Sequence, residues 1–339
     1  MSASSNPAVR PDRIMEMIWG YAPPIILATA VQNRVFDLMD AAPKTVEELA
    51  RASGNSVRGL RALLNALVGF QYLTKSPDGR YALTPESAAF LVSSKPGYLG
   101  KFVEFSGLKM IQTWLPLPEV VRTGKPSIEV NQQNSGEAFF QELVEPIFAM
   151  SYPATQVAGQ ALGLANARNP IRQLDIGTGS GVWGIGLAQQ SPQISVTAQD
   201  WPGVLEVTRR MAARFNLADR FKYLAGDFHD VDFGTGYNLV TIGHILHSEG
   251  VERSRHLLKK AAAAMAPKGT IVISEFLVNQ DRSGPPMPLI FAVNMLAHTE
   301  NGDTFSFEEI SGWLKEVGLV DPRKIEGGGP VGLVLADKP

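Results

Sequence analysis

One short segment constrains the fold more than any other: a strand pattern that runs directly into clustered glycines and then into a helix. The strand pattern covers Gln173–Ile176, the turn reads Gly177-Thr-Gly-Ser-Gly181, and apolar residues at helical spacing follow. Glycine lets a ligand approach the backbone closely, and the first turn of a helix offers unpaired amide N–H groups. The segment therefore predicts a ligand-binding turn at the carboxyl end of a strand.

The order of the glycines narrows the class of ligand. A nicotinamide-binding turn has the pattern Gly-x-Gly-x-x-Gly, which would place its third glycine at Val182. The acidic residue Asp175, at the start of the turn, suits a cationic ligand better than a pyrophosphate. The glycines alone also fit a plain strand-to-helix turn. The residues at the neighbouring strand ends are therefore needed to distinguish a ligand-binding turn from a structural one.

Two more carboxylates follow at the ends of the next two strand patterns. Asp200 follows the pattern Ser195–Gln199, where nucleotide-binding sheets hold ribose hydroxyls. Asp227 and Phe228 follow Lys222–Ala225, and they offer a hydrogen-bond acceptor for an adenine amine beside an aromatic ring. Because ligands of parallel sheets lie at the carboxyl ends of the strands, we expect these strand ends to meet in one crevice.

Strand and helix patterns alternate from Pro170 onward, whereas the segment from about Leu99 to Leu164 is helical and apolar throughout. The later strand patterns are Asn238–Ile242, Thr270–Glu275 and Val331–Ala336. Alternation of this kind predicts a parallel sheet with helices on both faces.

The first hundred residues have the pattern of a winged helix. Helical spacing from Ile14 to Met39 is interrupted at Pro23-Pro24, which predicts two helices. Thr45 and Glu48 form a capping-box pattern, and a helix from about Val57 precedes a predicted hairpin over 72–74 and 80–83. The apolar content of these helices exceeds what one side of a small domain can cover, so it predicts a homodimer.

A winged helix can bind DNA, but the charges here argue against it. Basic residues in this part of the chain are scattered among acidic ones, so the phosphate-neutralising patch is missing. The chain as a whole has a net charge of −2, which excludes a globally basic nucleic-acid binder.

Length and composition set further limits. A chain of 339 residues is long enough for two packed units, and a hydrophobic content of 45% with 19% charged residues argues against disorder. The absence of cysteine excludes disulfides and thiolate zinc sites. We find no uninterrupted apolar run of about 18 residues, and therefore expect a cytoplasmic protein without a membrane span.

The motifs, in their order and spacing, resemble those of class I S-adenosylmethionine-dependent O-methyltransferases with an N-terminal winged-helix dimerisation domain. That family includes plant caffeate and isoflavone, acetylserotonin and bacterial polyketide O-methyltransferases, and the resemblance covers nearly the whole chain. It rests on the segments Leu174–Gly181, Gln199–Val204, Gly226–Phe228, Ile245–His247, Met265–Gly269, Ile273–Glu275 and Met295–His298.

The resemblance implies an α/β fold in which a Rossmann-like, doubly wound methyltransferase domain follows the winged-helix domain. It implies a dimerisation domain over 14–98, a helical linker that contributes to the substrate pocket over 99–168, and a cofactor-binding domain over 169–339. The implied cofactor is S-adenosylmethionine. Its expected contacts are Asp175, Gly177, Gly179, Asp200, Trp201, Gly226, Asp227, Phe228 and His244.

The catalytic base of the resembled family is the histidine of a Leu-His-Asp-Trp segment, and it falls on His247. Here the family's Asp-Trp is replaced by Ser248-Glu249. Glu275 matches one family carboxylate and is our first candidate for orienting His247, with Asp303 as the second. Histidine suits proton abstraction near neutral pH, and a positioned base contributes about 100-fold to 10,000-fold to a rate.

The expected substrate is a small hydroxylated aromatic molecule, such as a phenol or polyketide, held in an apolar pocket. Methionine and aromatic side chains suit flat rings, although they also suit ordinary core packing. The candidate pocket residues are Met110, Trp114, Phe148, Met150, Asn294, Met295 and His298. Among the remaining histidines, His229 is expected on a solvated loop and His256 on a helix surface, and no metal site is predicted.

Two other functions fit the same patterns. The altered residues after His247 allow an enzyme that binds S-adenosylmethionine but performs decarboxylation, hydroxylation or pericyclic chemistry, as some relatives do. The winged helix allows a transcription factor that senses a ligand through the second domain. Methylation of nitrogen or carbon instead of oxygen also stays open.

Overall fold

We describe the fold from a computed structural model of the chain, in which residues 9–325 and 331–339 are described. The chain divides into two compact units, Met1–Gln112 and Thr113–Pro339. Each unit has its own buried core, so each is described by itself.

The first unit consists of helices followed by a two-stranded hairpin, as the sequence predicted. Its helices are α1 (Asp12–Ile18), α2 (Ala22–Gln32), α3 (Val35–Met39), α4 (Val46–Ser53), α5 (Val57–Gly69), α6 (Pro85–Phe90) and α7 (Gly100–Glu104). The antiparallel hairpin consists of β1 (Leu73–Lys75) and β2 (Tyr81–Leu83), and a π-helical segment, Phe105–Met110, follows α7. The capping box is confirmed, because Thr45 Oγ1 accepts from the Glu48 N–H and Glu48 accepts from the Thr45 N–H.

The prediction of two helices over 14–39 was wrong, because three helices form there. Pro23 does not end a helix but lies in the first turn of α2, where a missing N–H costs no hydrogen bond. The second break is at Arg34, whose φ of 55° is left-handed and separates α2 from α3.

Helix α1 leaves its apolar side chains uncovered within the first unit. Met17 and Trp19 are 78% and 63% exposed. The helical segment Asp12–Gln32 reaches a mean hydropathy of 1.4, so by length and composition alone it could cross a membrane. Core helices and signal sequences meet the same criterion, and the segment includes Asp12, Arg13 and Glu16, so it is not an uninterrupted apolar run of the kind that the sequence analysis excluded.

The second unit is built around a seven-stranded sheet in the order β5-β4-β3-β6-β7-β9-β8. Its strands are β3 (Ile171–Ile176), β4 (Ile194–Asp200), β5 (Phe221–Ala225), β6 (Tyr237–Gly243), β7 (Met265–Glu275), β8 (Val320–Ile325) and β9 (Gly332–Asp337). Its helices are α9 (Leu117–Thr123), α10 (Gln133–Leu143), α11 (Phe148–Ala161), α12 (Val182–Ala188), α13 (Pro202–Arg214), α14 (Leu246–Ala264), α15 (Pro286–His298) and α16 (Phe307–Glu316), while α8 (Ile111–Trp114) includes the division between the units.

The sheet is mixed and not wholly parallel, which corrects the sequence prediction. Strands β3 to β7 are parallel, but β9 lies antiparallel between β7 and β8. Strand β8 was not predicted, because Val320-Asp-Pro-Arg-Lys-Ile325 has no buried alternation and contains a proline that only an edge strand tolerates. The doubly wound α/β class is confirmed, since one core packs on α11–α13 and another on α14 and α16.

Strand β3 lies at the switch point of the sheet, where the crevice forms. It pairs in parallel with β4 on one side and with β6 on the other, so the connections leave it in opposite directions. Its residues Leu174 and Ile176 are fully buried. In sheets of this kind a crevice opens outside the carboxyl ends of the strands at the switch point, directly above β3.

Candidate active site

The glycine-rich turn follows β3 in a conformation that only glycine adopts readily. Gly177, Gly179 and Gly181 have φ values of 60°, 56° and 79°. A Cβ on Gly177 would collide with the side chain of Ile245. The three glycines therefore allow a tight turn whose backbone stays accessible from the crevice.

Asp175 braces this turn from beneath. Its Oδ2 accepts hydrogen bonds from Thr178 Oγ1 at 2.6 Å and from the Gly184 N–H at 3.2 Å, while its Oδ1 accepts from Thr241 Oγ1 at 2.6 Å. The side chain is 1% exposed, and burial raises its pKa to about 6. All its hydrogen bonds are thus internal, joining β3 to β6 and to the start of α12.

Asp200 stands at the end of β4 and fixes the other side of the turn. Its Oδ2 accepts from the Gly179 N–H and its Oδ1 from the Trp201 N–H, both at 2.8 Å. Burial raises the pKa of this carboxyl to about 7, despite the two hydrogen bonds that favour the charged form. The carboxylate faces a cavity with its remaining lone pairs.

The cavity opens above β3, as predicted, and its space amounts to about 800 Å³ when the part open to solvent is included. Six of the nine residues predicted to bind the cofactor line it: Gly177, Gly179, Asp200, Trp201, Phe228 and His244. The other three, Asp175, Gly226 and Asp227, lie beneath or beside it and are not part of its lining.

The segment after β5 is held more firmly than the sequence suggested. Asp227 Oδ1 accepts from the His229 N–H at 2.8 Å, and Lys260 Nζ donates to the carbonyls of Phe228 and His229 at 2.8 and 2.6 Å. The prediction that His229 lies on a solvated loop was wrong. Its side chain is 12% exposed, and its Nε2 lies 2.8 Å from Oε2 of the buried Glu249.

His247 and Glu275 form a buried pair beside the cavity. His247 Nδ1 lies 2.6 Å from Glu275 Oε2, and the side chains are 9% and 2% exposed. Burial favours the neutral carboxyl, but the charge and hydrogen bonds of His247 outweigh it and hold the pKa of Glu275 below its usual range. In the tautomer whose Nδ1–H donates to the carboxylate, Nε2 carries no hydrogen and can accept one.

His244 is strained and stays neutral. Its φ of 62° is unusual for a residue other than glycine, and its N–H donates to the Ser274 carbonyl at 2.9 Å. Burial lowers the pKa of its ring to about 4. Ligating atoms of His244, His247 and Glu275 lie within 4.8 Å of one another, which is close enough to hold a cation. Within this group, the 2.6 Å between His247 Nδ1 and Glu275 Oε2 is the length of a hydrogen bond.

Asp303 contacts His247 through the backbone. Its N–H donates to the His247 carbonyl at 2.9 Å, while its own Oδ1 accepts from the Thr304 N–H at 2.7 Å. The side chain belongs to an exposed residue. Of the two acidic candidates, Glu275 is therefore the one whose carboxylate meets the histidine ring.

One face of α15 carries the predicted polar substrate residues. Phe291 packs edge-on against the His247 ring, with 4.8 Å between the ring centroids. Asn294 and His298 follow Phe291 at helical spacing on the same face. Asn294 Oδ1 accepts from Trp114 Nε1 at 3.1 Å. His298 Nε2 lies 2.7 Å from Thr113 Oγ1, and burial lowers the pKa of its ring.

Helix α11 and the turn before it contribute to the cavity lining, and neither Phe148 nor Met150, which we predicted for the substrate pocket, is part of that lining. Ile147 and Ser151 line the cavity, one turn apart. Phe148 instead stacks on Phe215 at 5.2 Å, within the core on α12 and α13. Met150 is half-buried and is not part of the cavity lining.

The two other predicted methionines lie in different units. Met295 is 5% exposed, and its carbonyl accepts hydrogen bonds from the backbone and hydroxyl of Thr299. Met110 ends the π-helical segment of the first unit and is half-buried.

Several lining residues were missed by the sequence analysis: Val130, Asn131, Trp183, Ser248 and Glu249. Asn131 donates to the Ser248 carbonyl, which brings the segment before α10 to the residues after His247. Only Ser248-Glu249 carried a signal, as a departure from the family motif. Trp183 had the pattern of an ordinary apolar helix residue.

Comparisons with known proteins agree with this geometry. A family model described as "O-methyltransferase domain" matches residues 149–320, and one described as "O-methyltransferase dimerisation domain" matches residues 15–93. The 3-hydroxy-5-methyl-1-naphthoate 3-O-methyltransferase of Streptomyces sahachiroi is 28% identical over 90% of this chain and 88% of its own. The tetracenomycin polyketide synthesis 8-O-methyl transferase TcmO of Streptomyces glaucescens is 25% identical over 97% of both chains.

Solved structures show the same fold. A candidate O-methyltransferase from Nostoc punctiforme superimposes with a TM-score of 0.88 at 28% identity, over 97% of this chain and 99% of the other. Human N-acetylserotonin methyltransferase in complex with S-adenosylmethionine superimposes with a TM-score of 0.86 at 21% identity, over 100% and 99%. The chain therefore belongs to the S-adenosylmethionine-dependent O-methyltransferases that carry an N-terminal dimerisation domain.

Proposed function

We propose that this enzyme methylates a hydroxyl group of a small aromatic, polyketide-like molecule, with His247 as the general base. The observation that carries the proposal is the buried His247–Glu275 pair, with Nδ1 and Oε2 at 2.6 Å, beside the cavity above β3. The substrate class is supported by two relatives that act on a naphthoate and in tetracenomycin polyketide synthesis.

The residues around the cavity fit the cofactor. The glycine turn lets a ligand approach its backbone closely, and Asp200, which accepts from the Gly179 N–H, lines the cavity with a carboxylate suited to ribose hydroxyls. Phe228 lines the cavity, and Asp227, which precedes it in the chain, offers a carboxylate for an adenine amine. When bound, S-adenosylmethionine supplies a methyl group on a positively charged sulfur, which an oxygen nucleophile can attack.

The chain's own contribution to catalysis is to position the acceptor and to take its proton. Glu275 accepts the Nδ1–H of His247 and thereby fixes the tautomer in which Nε2 is free to accept. The hydroxyl proton of the acceptor would pass to Nε2, and bound S-adenosylmethionine would supply the methyl group for the acceptor oxygen. The imidazolium that results is stabilised by the Glu275 carboxylate.

We propose that the acceptor ring lies against α15. Phe291 contacts the His247 ring at 4.8 Å, so the face that continues through Asn294, Met295 and His298 borders the space in front of the base. The indole of Trp114 orients the Asn294 amide through a hydrogen bond of 3.1 Å. Apolar surface with a few fixed polar groups is typical of a site for small aromatic ligands.

Methyl transfer to a panel of hydroxynaphthoates and hydroxylated polycyclic quinones, followed by mass spectrometry, tests the proposal. We expect a product that has gained one methyl group on oxygen. An enzyme that binds S-adenosylhomocysteine tightly but methylates no phenol in the panel, and instead decarboxylates or hydroxylates one, would contradict it.

Cofactor affinity should depend on pH through Asp200. Burial raises its pKa to about 7 in the free protein, and ribose hydroxyls donate to the charged form. The full affinity for the cofactor is therefore present above the pKa of Asp200 and is lost as the pH falls through that pKa. From about pH 8 to about pH 6 we expect the Kd of S-adenosylhomocysteine, measured by calorimetry, to rise about tenfold. The Asp200→Asn variant should bind more weakly but with little pH dependence, and an unchanged pH dependence in that variant would refute the assignment.

We further propose that the protein is a homodimer formed through the first unit. The dimerisation family model covers residues 15–93, and Met17 of α1 and Trp19, directly after that helix, are exposed. Light scattering should give twice the chain mass at micromolar concentration, and Trp19→Asp should shift the equilibrium toward monomer because a charge would be buried at the interface. Val320→Asp, a matched change at an exposed position of the second unit, should leave the dimer intact. A monomeric parent protein with full activity would contradict the proposal.

A further inference from the structure

Trp183 holds a buried hydrogen-bond donor that has no acceptor. Within the described residues, four buried side-chain polar atoms lack a partner: Gln173 Oε1, Trp183 Nε1, Ser274 Oγ and Ser311 Oγ. Of these four side chains, only Trp183 lines the cavity. Its side chain is 3% exposed, and an unpaired buried donor is unfavourable unless a ligand or a water satisfies it.

The indole nitrogen lies at the edge of the sheet where the cavity opens. A Cβ on Gly243 would collide with Trp183 Nε1, so the nitrogen fills the space beside that glycine. Gly243 ends β6, and the pairing of Ile176 with Ile242 places it next to Gly177 of the turn. Trp183, Gly243, the glycine turn and His244 all line this part of the cavity.

The order of the strands indicates which part of the cofactor reaches this point. Asp227 and Phe228 follow β5, Asp200 ends β4, and Gly243 ends β6, on the other side of β3. With adenine at the end of β5 and ribose at the end of β4, the amino-acid portion of the cofactor lies over β3 and β6, toward His247. This step rests on the proposed function, because it uses the ribose assignment of Asp200.

The chemistry of the indole selects the partner. An indole N–H only donates, so its partner must be an acceptor, and the amino-acid portion offers a carboxylate. Among the described residues that line the cavity there is no lysine or arginine, so the lining supplies no cationic side chain to hold that carboxylate. Neutral N–H donors have to take its place, and such hydrogen bonds to a charged group are strong.

We propose that the indole N–H of Trp183 donates a hydrogen bond to the carboxylate of the methionyl portion of S-adenosylmethionine. Trp183 is thus a cofactor-binding residue that selects ligands carrying an amino-acid group. The same contact is available to the product, S-adenosylhomocysteine, which keeps this carboxylate.

The test compares two ligands that differ in the amino-acid portion. S-adenosylhomocysteine carries this portion with its carboxylate, whereas 5′-methylthioadenosine retains adenine, ribose and thioether but lacks it. Calorimetry on Trp183→Phe, which keeps an aromatic ring but removes the N–H, should show about a tenfold or greater loss of affinity for S-adenosylhomocysteine. Affinity for 5′-methylthioadenosine should stay within about twofold of the parent value.

Trp313→Phe is the matched control, because Trp313 is 7% exposed in the core on α14 and α16 and does not line the cavity. It should change neither affinity. Unchanged affinity for S-adenosylhomocysteine in Trp183→Phe would overturn the proposal, and so would an equal loss for both ligands, since that pattern indicates packing alone. Neither outcome depends on whether His247 is the base or on which phenol is methylated.

A second measurement uses the unaltered protein. The chain contains five tryptophans, so ¹⁵N-labelled indole N–H signals can be assigned with single phenylalanine variants. Saturation with S-adenosylhomocysteine should move the Trp183 signal downfield, in the direction of a stronger hydrogen bond, whereas 5′-methylthioadenosine should not. A Trp183 signal that shifts equally with both ligands would contradict the contact, even if Trp183→Phe does not fold.

Discussion

Replacement of His247 by alanine should reduce turnover by about 100-fold to 10,000-fold while leaving cofactor affinity almost unchanged. The histidine ring is held beside the cavity by Glu275 at 2.6 Å, and its loss would remove the proton acceptor that we propose without touching the glycine turn. Single-turnover methyl transfer from about pH 6 to about pH 10 measures the effect, because the loss should shrink at high pH, where a phenol ionises without help.

Glu275→Gln provides the graded comparison. The amide keeps the volume of the carboxylate but cannot stabilise an imidazolium, so the rate should fall by less than in His247→Ala. Arg255 and Glu316 form an exposed ion pair at 2.7 Å, and Glu316→Gln should leave the rate unchanged. A His247→Ala enzyme whose rate stays within about threefold of the parent across the pH range would remove His247 from the mechanism and leave proximity alone.

Replacement of Asp200 by alanine should weaken binding of S-adenosylhomocysteine about tenfold to a hundredfold. Removal of the carboxylate leaves buried ribose hydroxyls unpaired, at a cost of about 1 to 3 kcal/mol. It also frees the N–H groups of Gly179 and Trp201, which hold the turn at 2.8 Å from the carboxylate. Calorimetry measures the affinity, and thermal unfolding without ligand separates the second effect from the first.

Glu206→Ala is a suitable control for Asp200→Ala. Glu206 lies on α13, which follows Asp200 in the chain, but its side chain is 64% exposed and pairs with Arg209. Its removal should not alter affinity. Equal affinity in Asp200→Ala and the parent would show that the ribose lies elsewhere.

The sequence was sufficient to place the residues at the ends of parallel strands. Asp200, Phe228 and Gly177 come together at one cavity because the carboxyl ends of parallel strands all lie at the same edge of the sheet. The direction of β9 was not predictable in the same way, since an apolar run has the same pattern whether it pairs in parallel or antiparallel.

Helix phase, which composition does not reveal, decides which residues of α11 face a site. On α11 and the turn before it, aromatic and sulfur side chains suggested Phe148 and Met150 for the substrate pocket, which stays a prediction, whereas Ile147 and Ser151 line the cavity above β3. Composition indicates which residues can grip a ring, whereas a rotation of one residue, about 100°, decides which of them face it. His229 was misplaced for another reason: its partner Glu249 is distant in sequence, and only the fold joins them.

The antiparallel strand β9 also determines when the site can be completed during synthesis. Gly332 of β9 pairs beside Glu275, and β8 reaches the rest of the sheet only through β9. A ribosome therefore releases the glycine turn and both of its neighbouring strands long before it makes the strand that borders the partner of His247. A nascent chain can form its nucleotide crevice early, but the edge of β7 stays open, and prone to pairing with other chains, until β9 emerges.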